Sequence, residues 1–351
     1  MDLNSFWKDK KVLVTGHTGF KGSWMTVWLN KLGAQVAGFS LAPESSPNLY
    51  ELLNLQNSCE SYIEDIRDAN AIKERITAFK PDIIFHLAAQ SIVIKSYTDP
   101  VYTWQTNVMG TINLLEACRE LEHPCSVVVI TTDKVYENKE HLDGYRENDH
   151  LGGYDPYSSS KAGAELVVSS WRRSFFKNKP NLKLASARAG NVIGGGDWTD
   201  NRIIPDIFRY KQKGQTLPVR NPNAVRPWQH VLESLHGYLT LAELMHTNDD
   251  AQYQSAFNFG PNKNSIKSVE QLLDEATKVT NIGWENTQKE GQLHEATLLT
   301  LSIEKASEIL KWNPKWDFET SIKRTIQWYD RFYAGENPID LVTEDLNTYT
   351  S

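Results

Sequence analysis

Short apolar runs punctuate the first half of the chain: KVLVTG from Lys11, QVAGFSL from Gln35, PDIIFHLAA from Pro81, SVVVITT from Ser126 and LKLASARAG from Leu182. The first four carry β-branched residues and all five are too short for a helix, so each reads as a strand. The runs are apolar nearly throughout rather than alternating, which marks strands covered on both faces. Between them lie segments of helical period, SWMTVWLNKLG and Asn107 to Leu121 among them. This alternation predicts an α/β protein with a doubly wound parallel sheet, because parallel neighbours need crossover helices. In such sheets ligands bind beyond the carboxyl ends of the strands, so the chemistry is expected just after these runs.

The pattern changes at Gly190, where GNVIGGGDWTDNRIIP is glycine-rich and polar, a loop rather than another strand-helix unit. Residues 1–190 are expected to form a dinucleotide-binding domain. Residues 191–351 are expected to form a smaller mixed α/β substrate-binding lobe, with the chain able to cross back between the two. In that lobe QSAFNFG reads as a strand and Ser268 to Thr280 as a helix, and the chain is expected to end in a polar tail.

Composition narrows the function classes. With 351 residues and 40% hydrophobic positions the chain can bury a large core and a deep cleft. A net charge of -7 argues against a nucleic-acid binder, which needs clustered Lys and Arg. Cys59, Cys118 and Cys125 show no metal-ligand spacing and are odd in number, so no metal is expected and the thiols read as reduced and mostly structural. No long apolar run opens the chain or occurs later in it, so no membrane association is expected and the location reads as cytoplasmic.

Directly after the first strand stands Gly16-His-Thr-Gly19-Phe-Lys-Gly22, followed by a helix. Glycine at these three positions lets the backbone turn sharply and approach a pyrophosphate held by helix-start amides. A ligand-free strand-to-helix turn is the plainer alternative, and the pattern assigns no role to His17 or Lys21. A carboxylate that would accept ribose hydroxyls is missing where the second strand ends at Leu41, so these residues do not decide between NAD and NADP. Asp65 and Ile66, after a third strand, are placed to meet an adenine or to form an ordinary exposed turn.

Asp155-Pro-Tyr157-Ser-Ser-Ser-Lys161 puts a phenol and an ammonium four apart at a helix start, on one face. A nearby ammonium favours phenolate, lowering the tyrosine pKa toward neutrality, so Tyr157 can take a proton from an alcohol that gives up hydride. Lys161 can also hold a nicotinamide ribose. The SVVVITT strand ends in Thr132-Asp133-Lys134. A hydroxyl beside the tyrosine, Thr132, suffices for a plain dehydrogenase. Asp133 and Lys134 are then surplus, unless they form a mere surface ion pair.

With these residues assembled, the chain resembles the extended short-chain dehydrogenase/reductase family, and within it the CDP-glucose branch of the sugar-nucleotide 4,6-dehydratases. The likeness runs through GHTGFKGSWM, HLAAQ, TTDKVYEN, DPYSSSKAGAEL, ARAGNVIGGGDW, RIIPD and NAVRPWQHVLE, over roughly residues 10 to 240. It implies a Rossmann fold, a bound NAD and a nucleotide-sugar substrate. The implied reaction oxidises C4, eliminates water across C5 and C6, and returns hydride to C6. Asp133 would be the acid for the C6 hydroxyl and Lys134, its pKa lowered by burial, the base at C5. Many related dehydratases carry Glu at the Lys134 position. For the cofactor the resemblance points to Gly16, Thr18, Gly19, Phe20, Lys21 and Gly22, to Asp65 and Ile66, to Leu87, Ala88 and Ala89, and to Thr106, with Tyr157 and Lys161. For the substrate it points to Asn191, Arg202 and Arg226, with Trp228 either stacking on the base or packed in the core. It further implies a homo-oligomer pairing through the helices from Asn107 and Tyr157, and a place in cell-surface deoxysugar biosynthesis. A 4-epimerase of the same family would need Tyr157 and Lys161 but not the Asp133/Lys134 pair. A redox-inactive dinucleotide sensor would tolerate the loss of Tyr157.

Overall fold

The computed structural model describes residues 3–140, 143–288 and 298–351. The five apolar runs form strands, with one more before Asp65: β1 (Lys11–Thr15), β2 (Gln35–Ser40), β3 (Glu60–Ile63), β4 (Ile83–His86), β5 (Cys125–Ile130) and β6 (Leu182–Ala189). All are parallel, in the spatial order β6-β5-β4-β1-β2-β3. A seventh strand, Ala256–Phe259, pairs with the outer edge of β6, Phe257 opposite Ala187 and Phe259 opposite Ala189. QSAFNFG therefore belongs to the main sheet, a correction to its expected place in the second lobe. The open edge of β6 offers unpaired backbone groups, and Phe257 and Phe259 are wholly buried once docked there.

Alternation along each strand divides the core in two. Val12 and Val14 of β1 face Trp24, Met25 and Trp28 of the helix Phe20–Lys31. Leu13 between them faces the other side, with Ile72 and Ile76 of Ala69–Phe79, Leu114 and Leu115 of Gly110–Arg119, and Val168 of Pro156–Ser174. Both faces are covered, which is why these strands lack a polar phase. From β1 the chain winds outward through β2 and β3, then crosses back to β4 on the other flank. The strand order thus reverses between β1 and β4, the place where such sheets open a crevice at their carboxyl ends.

Outside the main sheet the chain forms short strand pairs: Val192–Ile193 with Gln229–His230, Leu217–Val219 with Trp284–Asn286, and Val225–Pro227 antiparallel to Ile266–Ser268. The expected helix is found as Val269–Val279, its start fixed by a reciprocal pair of hydrogen bonds between Ser268 and Gln271. The expected polar tail is absent. Two helices, Phe318–Tyr333 and Pro338–Thr350, end the chain and bury Ile322, Ile326, Trp328, Leu341 and Leu346 in the first-face core. Their apolar residues recur at helical spacing within a polar sequence, so one stripe packs while the rest stays wet. No helix among the described residues is long and apolar enough to cross a membrane.

Candidate active site

The glycine turn closes tightly on itself and on the end of β4. Gly16 has φ +78°, and a β-carbon there would stand 2.8 Å from the Ala88 nitrogen. One on Gly22 would stand 2.1 Å from the Gly16 carbonyl oxygen. Only glycine allows this approach, which brings Leu87 and Ala88 against the turn. Leu87 and Ala88 are tied down by amide hydrogen bonds to the Thr15 carbonyl and hydroxyl, at 3.1 and 3.2 Å. Gly19 caps the helix Phe20–Lys31 with no side chain on its first amides. These amides and the positive end of the helix face outward as an anion cradle.

At the end of β2 the Thr18 hydroxyl donates to the Leu41 carbonyl and pairs with the Ser40 hydroxyl, both at 2.8 Å. A pair of hydroxyls thus stands where an acidic residue is usual. Asp65 is held by the Arg67 guanidinium at 2.5 Å, which keeps its carboxyl below the usual carboxylate range. Ile66 is buried, against Gly110. Thr106 lies in a widened turn, Gln105–Met109, and its buried hydroxyl has no hydrogen-bond partner among the described residues. Next to it Asn107 bonds the Gln90 amide and the Ser160 hydroxyl, joining the β4 loop to the helix of Tyr157.

That helix, Pro156–Ser174, starts where the sequence predicts: Asp155 caps it by accepting from the Ser158 amide, and Pro156 fills its first turn. Tyr157 and Lys161 are both buried. Burial pushes the Tyr157 phenol up to about 12, with the adjacent Thr132 hydroxyl pulling the other way. The expected lowering by Lys161 is not found in this state. The Lys161 ammonium donates to the Ile130 carbonyl at 3.1 Å, and burial lowers its own pKa to about 8.

Thr132, Asp133 and Lys134 follow β5 into the cleft. The Asp133 Oδ1 atom accepts from the Thr132 hydroxyl at 2.9 Å and from the Lys134 ammonium at 3.1 Å. Its Oδ2 atom is buried with no hydrogen-bond partner among the described residues. Lys134 is not buried as expected: its side chain is 30% exposed, and the carboxylate fixes its position instead. The pair is no ordinary surface bridge, because Asp133 is completely enclosed.

Two further cations close the cluster. Lys21, given no role by the pattern and a cofactor role by resemblance, projects toward Asp133, 5.9 Å above the Tyr238 ring. Burial, with Arg202 beside it, holds its pKa at about 7. Arg202 precedes the helix Ile203–Gln212, lies 3.5 Å from Asp197, and reaches the surroundings of both Lys21 and Tyr157. Asn191 takes φ +48°, its buried Oδ1 without a hydrogen-bond partner among the described residues. Arg226 is buried in the small antiparallel sheet and donates to the Val225 carbonyl, contacts that do not tie it to the Asp133 cluster. Trp228 is a core residue whose indole donates to the Lys267 carbonyl. Sequence reasoning missed Gly190, which lies against Asp133, and Tyr238, beneath Lys21. Neither has a local motif.

Residues 13–325 match the GDP-mannose 4,6 dehydratase family. The chain is 44% identical, over 99% of its length and 98% of the relative's, to CDP-glucose 4,6-dehydratase of Salmonella typhimurium. Among solved structures it is similar to the NAD complex of dTDP-glucose 4,6-dehydratase from Bacillus anthracis, with a TM-score of 0.75, 23% identity, and 92% of this chain and 97% of that one covered. It is also similar to the NAD complex of UDP-glucose 4-epimerase from Thermus thermophilus, with a TM-score of 0.76, 24% identity, and 93% and 100% covered. A single family match over most of the chain, near full-length identity to one dehydratase and a shared fold agree with the geometry of the cleft: the chain belongs to the GDP-mannose 4,6-dehydratase family of sugar-nucleotide enzymes.

Proposed function

We propose that this protein is a CDP-glucose 4,6-dehydratase, an NAD-dependent hydro-lyase that converts CDP-glucose to CDP-4-dehydro-6-deoxy-D-glucose and water. The observation that carries the reading is the enclosed Asp133, paired with Lys134 at the cleft end of β5, beside the Thr132 that adjoins Tyr157. Alcohol oxidation alone has no use for such a pair, whereas elimination needs an acid and a base.

The residues present fit NAD. The glycine cradle leaves no room for a β-carbon at Gly16 or Gly22, the first amides of Phe20–Lys31 carry no cap, and the Thr106 hydroxyl has an unused hydrogen bond. When bound, NAD would supply the hydride acceptor for oxidation at C4 of the glucose and the hydride donor to C6. Tyr157, as the phenolate favoured by the Lys161 ammonium, takes the proton of the C4 hydroxyl while the Thr132 hydroxyl holds that oxygen. A ketone at C4 makes the C5 proton acidic. In its ionic form the Asp133–Lys134 pair has its proton on the lysine, and moving it to the aspartate yields both groups that elimination needs. Asp133 then protonates the departing C6 hydroxyl through Oδ2, and Lys134 takes the C5 proton, which restores the ion pair. As hydride arrives at C6 the Lys134 ammonium returns the proton to C5, so the proton lost from the C4 hydroxyl balances the one that leaves in water. Arg202 and Asn191 would hold the diphosphate and sugar from the second lobe.

The same reading extends to the assembly. Trp104, Met109 and Leu166 are exposed on the packed helices that begin near Asn107 and Tyr157, beside Val101 at 65% exposure. A solvent-facing apolar surface of this kind supports a homo-oligomer that buries it. A cytoplasmic enzyme supplying deoxysugars for cell-surface polysaccharide, lipopolysaccharide O-antigen among them, fits the chemistry. The test is turnover: purified protein is incubated with CDP-, dTDP-, UDP- and GDP-glucose, and the alkali-induced absorbance of a 4-keto-6-deoxy sugar is followed. A signal with CDP-glucose above the others is expected. Turnover of another nucleotide sugar with none of CDP-glucose would overturn the substrate.

A further inference from the structure

Tyr157, Lys161 and Glu165 follow one another at four-residue intervals on Pro156–Ser174 and so form one stripe of the helix. The first two belong to the cleft. The third is only 3% exposed and looks inward, where every partner is specific. Its Oε1 accepts from the Thr131 hydroxyl at 2.5 Å, and its Oε2 from the Ser186 hydroxyl and the Arg188 guanidinium, each at 2.8 Å. Arg188 in turn donates to the Tyr136 hydroxyl at 2.8 Å, and Tyr136 to Asn258 at 2.6 Å. Thr131, clamped by Glu165, stands between Ile130, whose carbonyl holds the Lys161 ammonium, and Thr132.

A buried ion pair is seldom kept for stability, since apolar residues of similar size commonly serve as well or better. Its position supplies another reason. Lys161 must stay cationic to favour a phenolate at Tyr157, and burial opposes this. Other groups around Lys161 do not help. His86 from β4 is buried and held neutral, its pKa lowered to about 3, Lys21 from the glycine turn is a second cation, and Lys134 offsets the Asp133 charge at the end of β5. Tyr157 is neutral at rest, and Arg188 lies behind Glu165. The Glu165 carboxylate is the group whose charge opposes the desolvation of Lys161.

We propose that Glu165 is a positioning residue: its buried carboxylate, one turn beyond Lys161, keeps that lysine cationic and, through Thr131, holds the strand end carrying Thr132 and Asp133 against the Tyr157 helix. This rests on the roles given to Tyr157 and Lys161 in the proposed function.

The test is the pH dependence of kcat/KM for CDP-glucose in the wild type, Glu165→Gln, Glu165→Asp and the double variant Glu165→Met with Arg188→Met. The double variant removes both charges and leaves no unpaired ion, so it carries the test if Glu165→Gln does not fold. A cationic Lys161 is lost as pH rises, so its loss sets the basic limb. That limb is expected to move to lower pH by about one unit in both charge-removing variants and to stay in place in Glu165→Asp. Thr131→Val, which removes a hydrogen bond and no charge, is expected to lower kcat with the limb unmoved. A folded double variant whose basic limb coincides with that of the wild type overturns the role of Glu165. Failure of the wild type itself to turn over CDP-glucose would instead strike the proposed function.

Discussion

Gly190 lies so close to Asp133 that a β-carbon on it would stand 2.0 Å from the carboxylate carbon. The end of β6 is thereby pressed against the cluster at the end of β5, and the aspartate has one available position. Gly190→Ala is expected to displace Asp133, lowering dehydration at least a hundredfold while costing about 1–3 kcal/mol of stability from overpacking. Steady-state rates and urea unfolding of the same preparation check both halves.

Replacing Tyr157 by Phe removes the oxygen that accepts the C4 proton and little else. kcat is expected to fall by about 10²–10⁴, the usual worth of a positioned proton acceptor, with CDP-glucose affinity within a few-fold of wild type. Calorimetric titration with CDP-glucose separates the two effects, and a variant that keeps full kcat removes Tyr157 from the reaction.

Lys134→Met separates the first half of the reaction from the second. Hydride removal from C4 depends on Tyr157 and Thr132, so substrate is still expected to reduce the bound nicotinamide, seen by its near-ultraviolet absorbance. Water loss needs the base at C5, so no 4-keto-6-deoxy product is expected. Undiminished product would discard that role for Lys134.

The exposed Trp104 and Val101 give the assembly a direct test. Light scattering of the wild type is expected to show a multiple of the 40.0 kDa chain, and Trp104→Glu with Val101→Glu a particle near that mass. A wild-type particle of 40.0 kDa at working concentration rules the assembly out.

Stability is expected to fall in mild acid. His17, His86 and His230 are almost fully enclosed, and burial lowers them to about 4, 3 and 3. They stay neutral in the folded chain while the unfolded chain takes up protons below pH 6.5, so stability is lost as pH falls through that value. At pH 5.5 each contributes about 1.4 kcal/mol of loss. Asp345, raised by burial to about 7, acts oppositely, since the folded form binds its proton first. Urea midpoints at pH 7.5 and 5.5 should therefore diverge more in Asp345→Asn than in the wild type.

The parallel sheet, the glycine turn and the Tyr157–Lys161 pair were all legible in the sequence, because each depends on spacing within one short segment. Apolar runs mark doubly covered strands, a turn that admits no β-carbon demands glycine, and four-residue spacing puts two side chains on one helix face. Asp133 and Lys134 were legible as a surplus at a strand end.

Other features depend on contacts between segments distant in the chain. The Ala256–Phe259 strand joins the sheet because β6 leaves an edge open, which nothing near residue 256 records. The last two helices belong to the core because the first face of the sheet needs their apolar stripe. Burial follows the same rule: enclosure raises the Tyr157 pKa, whereas Lys134 keeps a partly exposed side chain beside its enclosed carboxylate partner. Local residue order settles which chemical groups can reach the cleft; burial and packing, which depend on the whole fold, settle how each is held there.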